Sequence, residues 1–462
     1  MKQDALYYVK DNTLFDNQNR MTFFRGCNYT ETELFPIEEA DSRFNKLLLK
    51  GCNLIRWGIT WEKIEPEPEA YNEEYLANLR NLIKKADEYD IKVIIEPLFS
   101  CWCKDFGGIG APAWTYEKIG INFKAENKET GTWSWKGAEN YASRTMNTLF
   151  FAGHTFAKGL KIDGDPVQDY LQEHFINAMN HTARRLKDCE NIIGFGIMSD
   201  INAGYIDTKN LLESDFAKDT ENQNWKDFWG QFGAITTPDY FAINTGDFNT
   251  NYLLPFAEEY VETLQKKHKH YIFFTNIKGI ENTENVLFSE GYNKSAPKGK
   301  SLFAKADTNF EETISSWKKT SLLTEFASLN VGNTAKETED TKAFYDKIDE
   351  KLISACILNY NENLDSKCYV RPYVSVMAGT LVKQEVIFDK EVTFTIEWDS
   401  NLCPTSSGDA DTEIFIPKVW FPNGWKTEKF DGVGILREVP EQQKLYVKTL
   451  EARRCKLIIK SV

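Results

Sequence analysis

Short apolar runs alternate with longer amphipathic segments between residues 21 and 360, and this alternation constrains the fold more than any other feature. The segments between the runs, such as 73–89, 167–186 and 252–267, repeat apolar residues at three- and four-residue intervals, as helices do. The strand-like runs are rich in β-branched and aromatic residues and cover 21–29, 53–59, 91–98, 191–199, 270–277, 300–306, 321–327 and 353–360. Eight strands that alternate with helices predict a TIM (β/α)8 barrel.

The two ends of the chain follow a different pattern. The first twenty residues resemble a hairpin around Asp11-Asn12, which we expect to lie at the barrel floor. Beyond residue 372 the helical periodicity stops, and apolar and polar residues alternate as in an antiparallel β-sandwich. The sequence therefore predicts an α/β protein in which residues 1–372 form the barrel with its N-terminal hairpin. Residues 373–462 form a C-terminal β-sandwich, packed on the barrel without a flexible linker.

Two segments, 99–165 and 200–251, are too long for ordinary barrel loops. Both follow strands, on the face where TIM barrels build their active sites. Half of the twelve tryptophans of the chain lie in them, namely Trp102, Trp114, Trp133, Trp135, Trp225 and Trp229. Aromatic rings stack on sugars, so we expect Trp102 and Trp114 to bind substrate, although tryptophans pack in cores more often than they bind ligands.

Composition narrows the range of partners. A net charge of −14 without a basic run argues against nucleic acid and anionic membranes, since phosphate binding needs clustered Lys and Arg. Apolar runs stay below the length of about 18 residues that spans a membrane. The first residues lack the apolar segment of a secretory signal, and the nine cysteines are an odd number, so we expect a cytoplasmic protein with reduced thiols. No metal or other cofactor is expected, and the oligomeric state is left open.

Two apolar strands carry charged residues that suggest chemistry. Glu325 ends the run LLTEFA, where its carboxylate should project into the barrel mouth. A retaining glycosidase uses such a carboxylate as nucleophile, about 5–5.5 Å from a second carboxyl group. An ion pair with a neighbouring Arg or Lys is an equally good explanation of this residue. Arg56 lies in the apolar run NLIRWGI and needs a carboxylate partner, so we expect it within hydrogen-bonding reach of Glu325.

Five segments together resemble endoglycoceramidases, which belong to glycoside hydrolase family 5. They occur in the family's order and are GCNLIRWGITWEKIEPEPEAYNEEYL (51–76), APAWT (111–115), VQDYLQEHFINAMNHTARRL (167–186), SLLTEFA (321–327) and YVRPYVSVMAGT (369–380). The resemblance implies a retaining β-glycosidase barrel with a C-terminal sandwich. It also implies a β-glycoside or glycolipid ligand, such as a glycosylceramide or a sterol glucoside, with Glu325 as the nucleophile.

The chain departs from this family at several positions of the site. The family's acid/base glutamate, in an Asn-Glu-Pro motif, is replaced in Ser199-Asp200-Ile201. An Asp-x-His motif is replaced by Glu96-Pro97-Leu98, and a His-x-Tyr pair expected on the sixth strand by Ala304-Lys305-Ala306. A tryptophan expected on the eighth strand is also missing. Arg56 and Glu325 are the members of the set that remain.

These replacements predict an eroded site. Asp200 is one methylene shorter than glutamate, which retracts the carboxyl by about 1.5 Å, and losing a general acid costs about 100- to 10,000-fold in rate. We expect Asp200 in the degenerate acid/base position, farther from Glu325 than in retaining enzymes, with Arg56, Glu96 and Ser199 among the substrate-binding residues. Three functions remain open: a weak glycosidase that uses Glu325 with Asp200 or Glu96, a non-catalytic glycolipid- or oligosaccharide-binding protein or scaffold, and a structural subunit.

Overall fold

The computed structural model describes residues 6–120, 141–204, 206, 248–280, 283–292, 321–326, 335–357, 369–400 and 411–462. The helices in these residues are α1 (Ala40–Leu49), α2 (Trp61–Ile64), α3 (Glu73–Asp87), α4 (Trp114–Glu117), α5 (Tyr141–Phe156), α6 (Val167–Arg185), α7 (Leu254–Gln265) and α8 (Ala335–Lys351). The helices predicted over 73–89, 167–186 and 252–267 are confirmed as α3, α6 and α7.

Eight parallel strands close into a barrel, which confirms the predicted fold class. An N-terminal segment supplies β1 (Tyr7–Lys10), β2 (Thr13–Asp16) and β3 (Met21–Thr22), and a small hairpin before α6 supplies β7 (Lys161–Ile162) and β8 (Asp165–Pro166). The barrel strands are β4 (Arg25–Tyr29), β5 (Leu54–Ile59), β6 (Lys92–Pro97), β9 (Ile192–Gly196), β10 (Ile272–Thr275), β11 (Val286–Tyr292), β12 (Leu322–Phe326) and β13 (Ser354–Ile357).

The sixth barrel strand differs from the prediction. It is Val286–Tyr292, which pairs with β10 on one side and with β12 on the other. The apolar pattern of VLFSEGY is interrupted by Ser289, Glu290 and Gly291, so the sequence predicts the strand over 300–306 instead. Residues 300–306 lie outside the described residues, so the comparison of Ala304-Lys305-Ala306 with the sixth-strand motif of the family does not concern the strand that closes the barrel.

The N-terminal hairpin covers the floor of the barrel. Asp11 and Asn12 both have positive φ, as a tight hairpin turn requires. Leu14 is buried among apolar side chains from the first residues of the barrel strands, including Leu54, Ile94 and Ile193. The hairpin also has a second role that the sequence did not suggest. Its β3 pairs with the C-terminal region, so the two ends of the chain share one sheet.

The C-terminal region forms two antiparallel sheets that face each other. Its strands are β14 (Tyr373–Met377), β15 (Thr380–Phe388), β16 (Val392–Asp399), β17 (Thr412–Phe415), β18 (Trp425–Asp431), β19 (Gly434–Val439), β20 (Lys444–Thr449) and β21 (Arg454–Ser461). One sheet has the order β1-β2-β3-β14-β17-β20-β19 and the other β15-β16-β21-β18. A shared apolar core joins them, with Ile414 from the first sheet and Phe394 and Leu457 from the second.

A buried ionic cluster joins these sheets to the barrel. Asp349 of α8 pairs with Arg25 of β4 at 2.7 Å and with Arg371, just before β14, at 3.0 Å. Gln384 of β15 donates a hydrogen bond to the same carboxylate at 3.2 Å. The contact is thus ionic and buried rather than a loose surface contact. A domain boundary at residue 372 stays a prediction, because the hairpin belongs to the C-terminal sheet as well.

Candidate active site

A polar cleft opens at the carboxyl ends of the barrel strands, the end at which TIM barrels carry their active sites. Four of the residues predicted from the sequence line it, namely Arg56, Glu96, Ser199 and Asp200. Asn276, Lys278, Ser289 and Thr324 line it as well, and the sequence analysis did not single them out. Groups that donate and accept hydrogen bonds therefore surround the cleft, which suits a ligand with many hydroxyls.

Arg56 and Glu96 form a buried ion pair in the wall of this cleft. The two side chains are only 7% and 4% exposed. Arg56 Nε donates to Glu96 Oε2 at 3.1 Å, and Arg56 Nη2 lies 3.0 Å from Glu96 Oε1. This two-bond geometry is the strong form of an arginine–carboxylate contact. Glu96 is thus the carboxylate partner of the buried Arg56, and both of its oxygens contact the guanidinium.

Gly196 makes room for the Glu96 carboxylate. A Cβ atom at residue 196 would overlap with both carboxylate oxygens of Glu96, so only glycine fits beneath them. The carbonyl of Gly196 accepts a hydrogen bond from the Tyr260 hydroxyl at 3.1 Å. Burial, followed by the charge of Glu96, raises the pKa of Tyr260 well above its usual value, so the phenol stays a donor. The Glu96 carboxylate therefore packs against Gly196 of strand β9, with Tyr260 of helix α7 nearby.

Ser199 connects the ends of two neighbouring strands. Its hydroxyl donates to the Phe99 carbonyl at 3.2 Å and accepts from the Phe99 backbone N–H at 2.8 Å. Its own backbone N–H donates to the Pro97 carbonyl at 2.9 Å. The side chain thus continues the hydrogen bonding between β6 and β9 past their last paired residues. The sequence predicts that Ser199 contacts substrate. In the structure its hydroxyl proton is donated to the Phe99 carbonyl, so it is not available to a ligand.

Asp200 leaves the strand in a turn. Its φ is +42°, in the left-handed region that Asp and Asn tolerate better than longer side chains do. The side chain is exposed at the rim of the cleft. A short side chain at this position therefore suits the local backbone.

Glu325 lies on β12, at a point where the strand is irregular. Leu323 pairs with Glu290 of β11, yet the next paired residue is Glu325, with Gly291. The pairing with β13 shifts at the same place, between Leu323 and Phe326. Bulges of this kind bend a strand and redirect side chains next to active sites. The side chain of Glu325 lies outside the described part of the structure, so its distances to Arg56 and Asp200 stay predictions.

Trp102 and Trp114 pack in the core. Trp102 is 1% exposed and donates through Nε1 to Thr115 Oγ1 at 3.0 Å, and its ring contacts Phe150. Trp114 is also buried and donates to the Glu65 carbonyl at 3.1 Å. In the part of the chain that the structure describes, neither is among the residues that line the cleft, because both rings and both N–H groups contact protein. Substrate binding by these two tryptophans stays a prediction. Trp133, Trp135, Trp225 and Trp229 lie outside the described residues.

Asn28 and Gly196 are two further residues of the site that were not predicted from the sequence. Asn28 is the last residue but one of β4 and contacts both Arg56 and β12. A polar residue at the carboxyl end of the apolar run MTFFRGCNY was the available signal. Gly196 had no signal in the sequence, because its importance depends on Glu96, a residue 100 positions earlier in the chain.

Within the described ranges, no three His, Cys, Asp or Glu side chains group as metal ligands do. A helix long and apolar enough for a membrane span is likewise absent from the ranges that were described.

Comparison with known proteins gives one matching family domain, one curated relative and two solved structures of similar fold. Residues 371–456 match the glycoside hydrolase family 5 C-terminal domain. A glucosylceramidase of Rhizopus delemar is 41% identical over 194 residues, which are 38% of this chain and 28% of that protein, so the chain spans under a third of this curated relative. Cryptococcus neoformans sterylglucosidase 1 has the same fold, with a TM-score of 0.74 at 15% identity over 100% of this chain and 97% of that one. Endo-glycoceramidase II from Rhodococcus sp. superposes with a TM-score of 0.67 at 14% identity, covering 97% of this chain and 99% of its own.

Proposed function

With the resemblance to glycoside hydrolase family 5 confirmed in the C-terminal domain and in the fold, we propose that this chain binds the sugar of a β-glucosylated lipid in the cleft. The ligand class is glucosylceramide or a steryl glucoside, as the names of the similar proteins suggest. Glu325 occupies the position of the nucleophile. The observation that carries the proposal is the polar cleft with Arg56, Glu96, Ser199 and Asp200 at the strand ends, close to where β12 ends.

We further propose that turnover of these lipids is very weak or lost. An alcohol such as ceramide or a sterol is a poor leaving group and needs a proton as its bond to the sugar breaks. Glu96 has both oxygens engaged with Arg56, and Asp200 lies exposed on a left-handed turn. Neither carboxyl is placed as a buried proton donor, so the cleft retains binding groups while the acid step is impaired.

The proposal is tested with fluorescent glucosylceramide and ergosteryl glucoside in detergent micelles. We expect saturable binding that free glucose competes with, and hydrolysis at least about 100-fold slower than the typical enzyme rate of about 10 per second. Glu325→Gln should abolish any remaining hydrolysis and retain binding, and residual product formation in that variant indicates contamination. Galactosylceramide provides the matched ligand control.

Two results contradict the proposal. Hydrolysis near about 10 per second that Asp200→Asn abolishes means that Asp200 works as a full acid catalyst. No binding of any β-glucoside, with the variant and wild-type proteins both folded, favours the structural-subunit function instead.

A further inference from the structure

Asn28 connects the strand of the candidate nucleophile to the buried ion pair. It is 2% exposed, and its Nδ2 donates to the Thr324 carbonyl of β12 at 2.9 Å. Its Oδ1 accepts from Arg56 Nη1 at 3.5 Å. Arg56 in turn holds Glu96. One amide side chain therefore touches both the peptide before Glu325 and the guanidinium beside the cleft.

The contact with Thr324 lies at the irregular point of β12. The pairing of β12 shifts register on both of its edges between Leu323 and Phe326. A bulge takes a residue out of the regular ladder, and a buried backbone group there needs another partner. The Asn28 amide supplies a donor for the Thr324 carbonyl across the intervening strand β13. The bulge and Asn28 therefore form one structural unit.

We propose that Asn28 is a positioning residue for the nucleophile Glu325, an inference that rests on the proposed function. The Thr324 carbonyl belongs to the planar peptide unit that also contains the backbone N–H of Glu325. Fixing that carbonyl restrains the rotation of the peptide plane and, through it, the direction in which the backbone presents residue 325. Asn28 sets this direction relative to Arg56, because the same amide group contacts both.

Asparagine suits this role because the two contacts need opposite hydrogen-bonding groups. The Thr324 carbonyl needs a donor, and the Arg56 guanidinium needs an acceptor. Asp at residue 28 keeps the acceptor and loses the donor, which leaves a carboxylate facing a carbonyl. Ala loses both groups. The variants Asn28→Asp and Asn28→Ala thus separate the contact with β12 from the contact with Arg56.

The test is covalent labelling with 2,4-dinitrophenyl 2-deoxy-2-fluoro-β-glucoside. The Glu325 carboxylate attacks C1 of the sugar, the bond from C1 to the phenolic oxygen breaks, and dinitrophenolate leaves with the electron pair. The leaving group needs no proton, so the labelling does not depend on an acid at residue 200. Mass spectrometry of the intact protein over time gives the maximal labelling rate and the half-saturating concentration separately.

We expect Asn28→Ala and Asn28→Asp to lower the maximal labelling rate about 10- to 100-fold, the effect of misplacing a reacting group by up to about 1 Å. The half-saturating concentration should change by less than about 3-fold, since groups that bind the sugar stay in place. The matched control is Asn53→Ala. Asn53 likewise bridges neighbouring strands, with Nδ2 donating to the Phe23 carbonyl at 3.0 Å and Oδ1 accepting from Arg25 N–H at 2.9 Å, at the amino ends of the barrel strands.

The outcomes separate this inference from the proposed function. A wild-type protein that is not labelled at Glu325 contradicts the proposed nucleophile. A labelled wild type with folded Asn28→Asp labelled equally fast contradicts the positioning role alone. Equal slowing in Asn53→Ala also contradicts it, because the effect is then one of general stability. Asn28→Asp is nearly isosteric, so the test does not depend on Asn28→Ala being folded.

Discussion

At the scale of single residues, the pair Arg56–Glu96 shows how one side chain fixes the identity of others. We predict from the sequence that the buried Arg56 has a carboxylate partner and lies beside Glu325. The partner that the structure describes is Glu96, and the distance to Glu325 stays a prediction. The position of the Glu96 carboxylate requires a glycine at residue 196, since a Cβ atom there overlaps with the carboxylate. Requirements of this kind join residues far apart in the sequence. They are therefore invisible to strand periodicity and to local motifs, which explains why Gly196 was not predicted.

Gly196→Ala should destabilise the protein by about 1–3 kcal/mol, the usual cost of overpacking a filled core. The overlap with Glu96 is the reason, so Glu96→Ala should remove most of that cost when the two are combined. The four free energies of unfolding in urea form a double-mutant cycle that isolates the contact. Additive effects of the two substitutions rule out this explanation of the glycine.

His268 gives the protein a measurable sensitivity to acid. Burial, with the charges of His270 and Lys267 adding to it, lowers the pKa of His268 from 6.5 to about 4. Between those pH values the unfolded chain binds a proton that the folded chain does not, so acidification weakens folding. Between pH 7 and pH 5 we expect a loss of about 1–2 kcal/mol from this group.

His268→Phe keeps the stacking on Tyr271 and removes the titrating group. Its free energy of unfolding should fall less than that of the wild type between pH 7 and pH 5, measured in urea at both pH values. An identical pH dependence in His268→Phe would exclude this imidazole as the cause.

At the scale of elements, periodicity predicted most of the fold and failed where polar residues and glycine interrupt a strand or where pairing joins distant parts of the chain. The runs ending at Ile59, Pro97 and Gly196 lie within predicted strands because apolar residues predominate in each. The strand Val286–Tyr292 was missed, since Ser289 and Gly291 interrupt its apolar pattern. The hairpin was predicted from its turn residues, whereas its pairing with β14 depends on contacts across the whole chain.

Leu14 reports on the role of this hairpin. It is buried at the barrel floor with Leu54, Ile94 and Ile193. Leu14→Ala should cost about 2–5 kcal/mol of unfolding free energy, the usual range for a leucine truncated in a core. Leu6→Ala, at an exposed leucine of the same segment, is the matched control and should change stability by less than about 0.5 kcal/mol. A small effect of Leu14→Ala would mean that the hairpin does not close the floor.

At the scale of the whole molecule, the predicted order of a barrel followed by an antiparallel sandwich agrees with the structure, because each half has its own periodicity. What the sequence could not provide is how the halves are joined. Asp349 meets two arginines from separate parts of the chain, Arg25 and Arg371, and such a buried ionic cluster leaves no periodic pattern. The cluster favours a fixed contact over a swinging C-terminal module.

Removing the buried carboxylate should be costly, because two arginines are then left without their charge partner. We expect Asp349→Ala to lower the unfolding free energy by about 3–5 kcal/mol. Asp346→Ala removes a neighbouring, exposed carboxylate that also pairs with Arg371, at 2.7 Å, and should cost about 1 kcal/mol or less. Urea unfolding of both variants checks this, and similar costs for the two would contradict a special role of the buried cluster.

We propose that the cleft keeps a nucleophile and lacks an efficient proton donor. The most direct test is the rate of sugar release from a series of aryl β-glucosides whose phenols range from weakly to strongly acidic. Without a proton donor, the rate should rise steeply with the acidity of the phenol, and natural alcohol leaving groups should react slowest. A rate that is independent of phenol acidity, and that becomes steeply dependent in Asp200→Asn, would show that Asp200 donates a proton and would contradict the account.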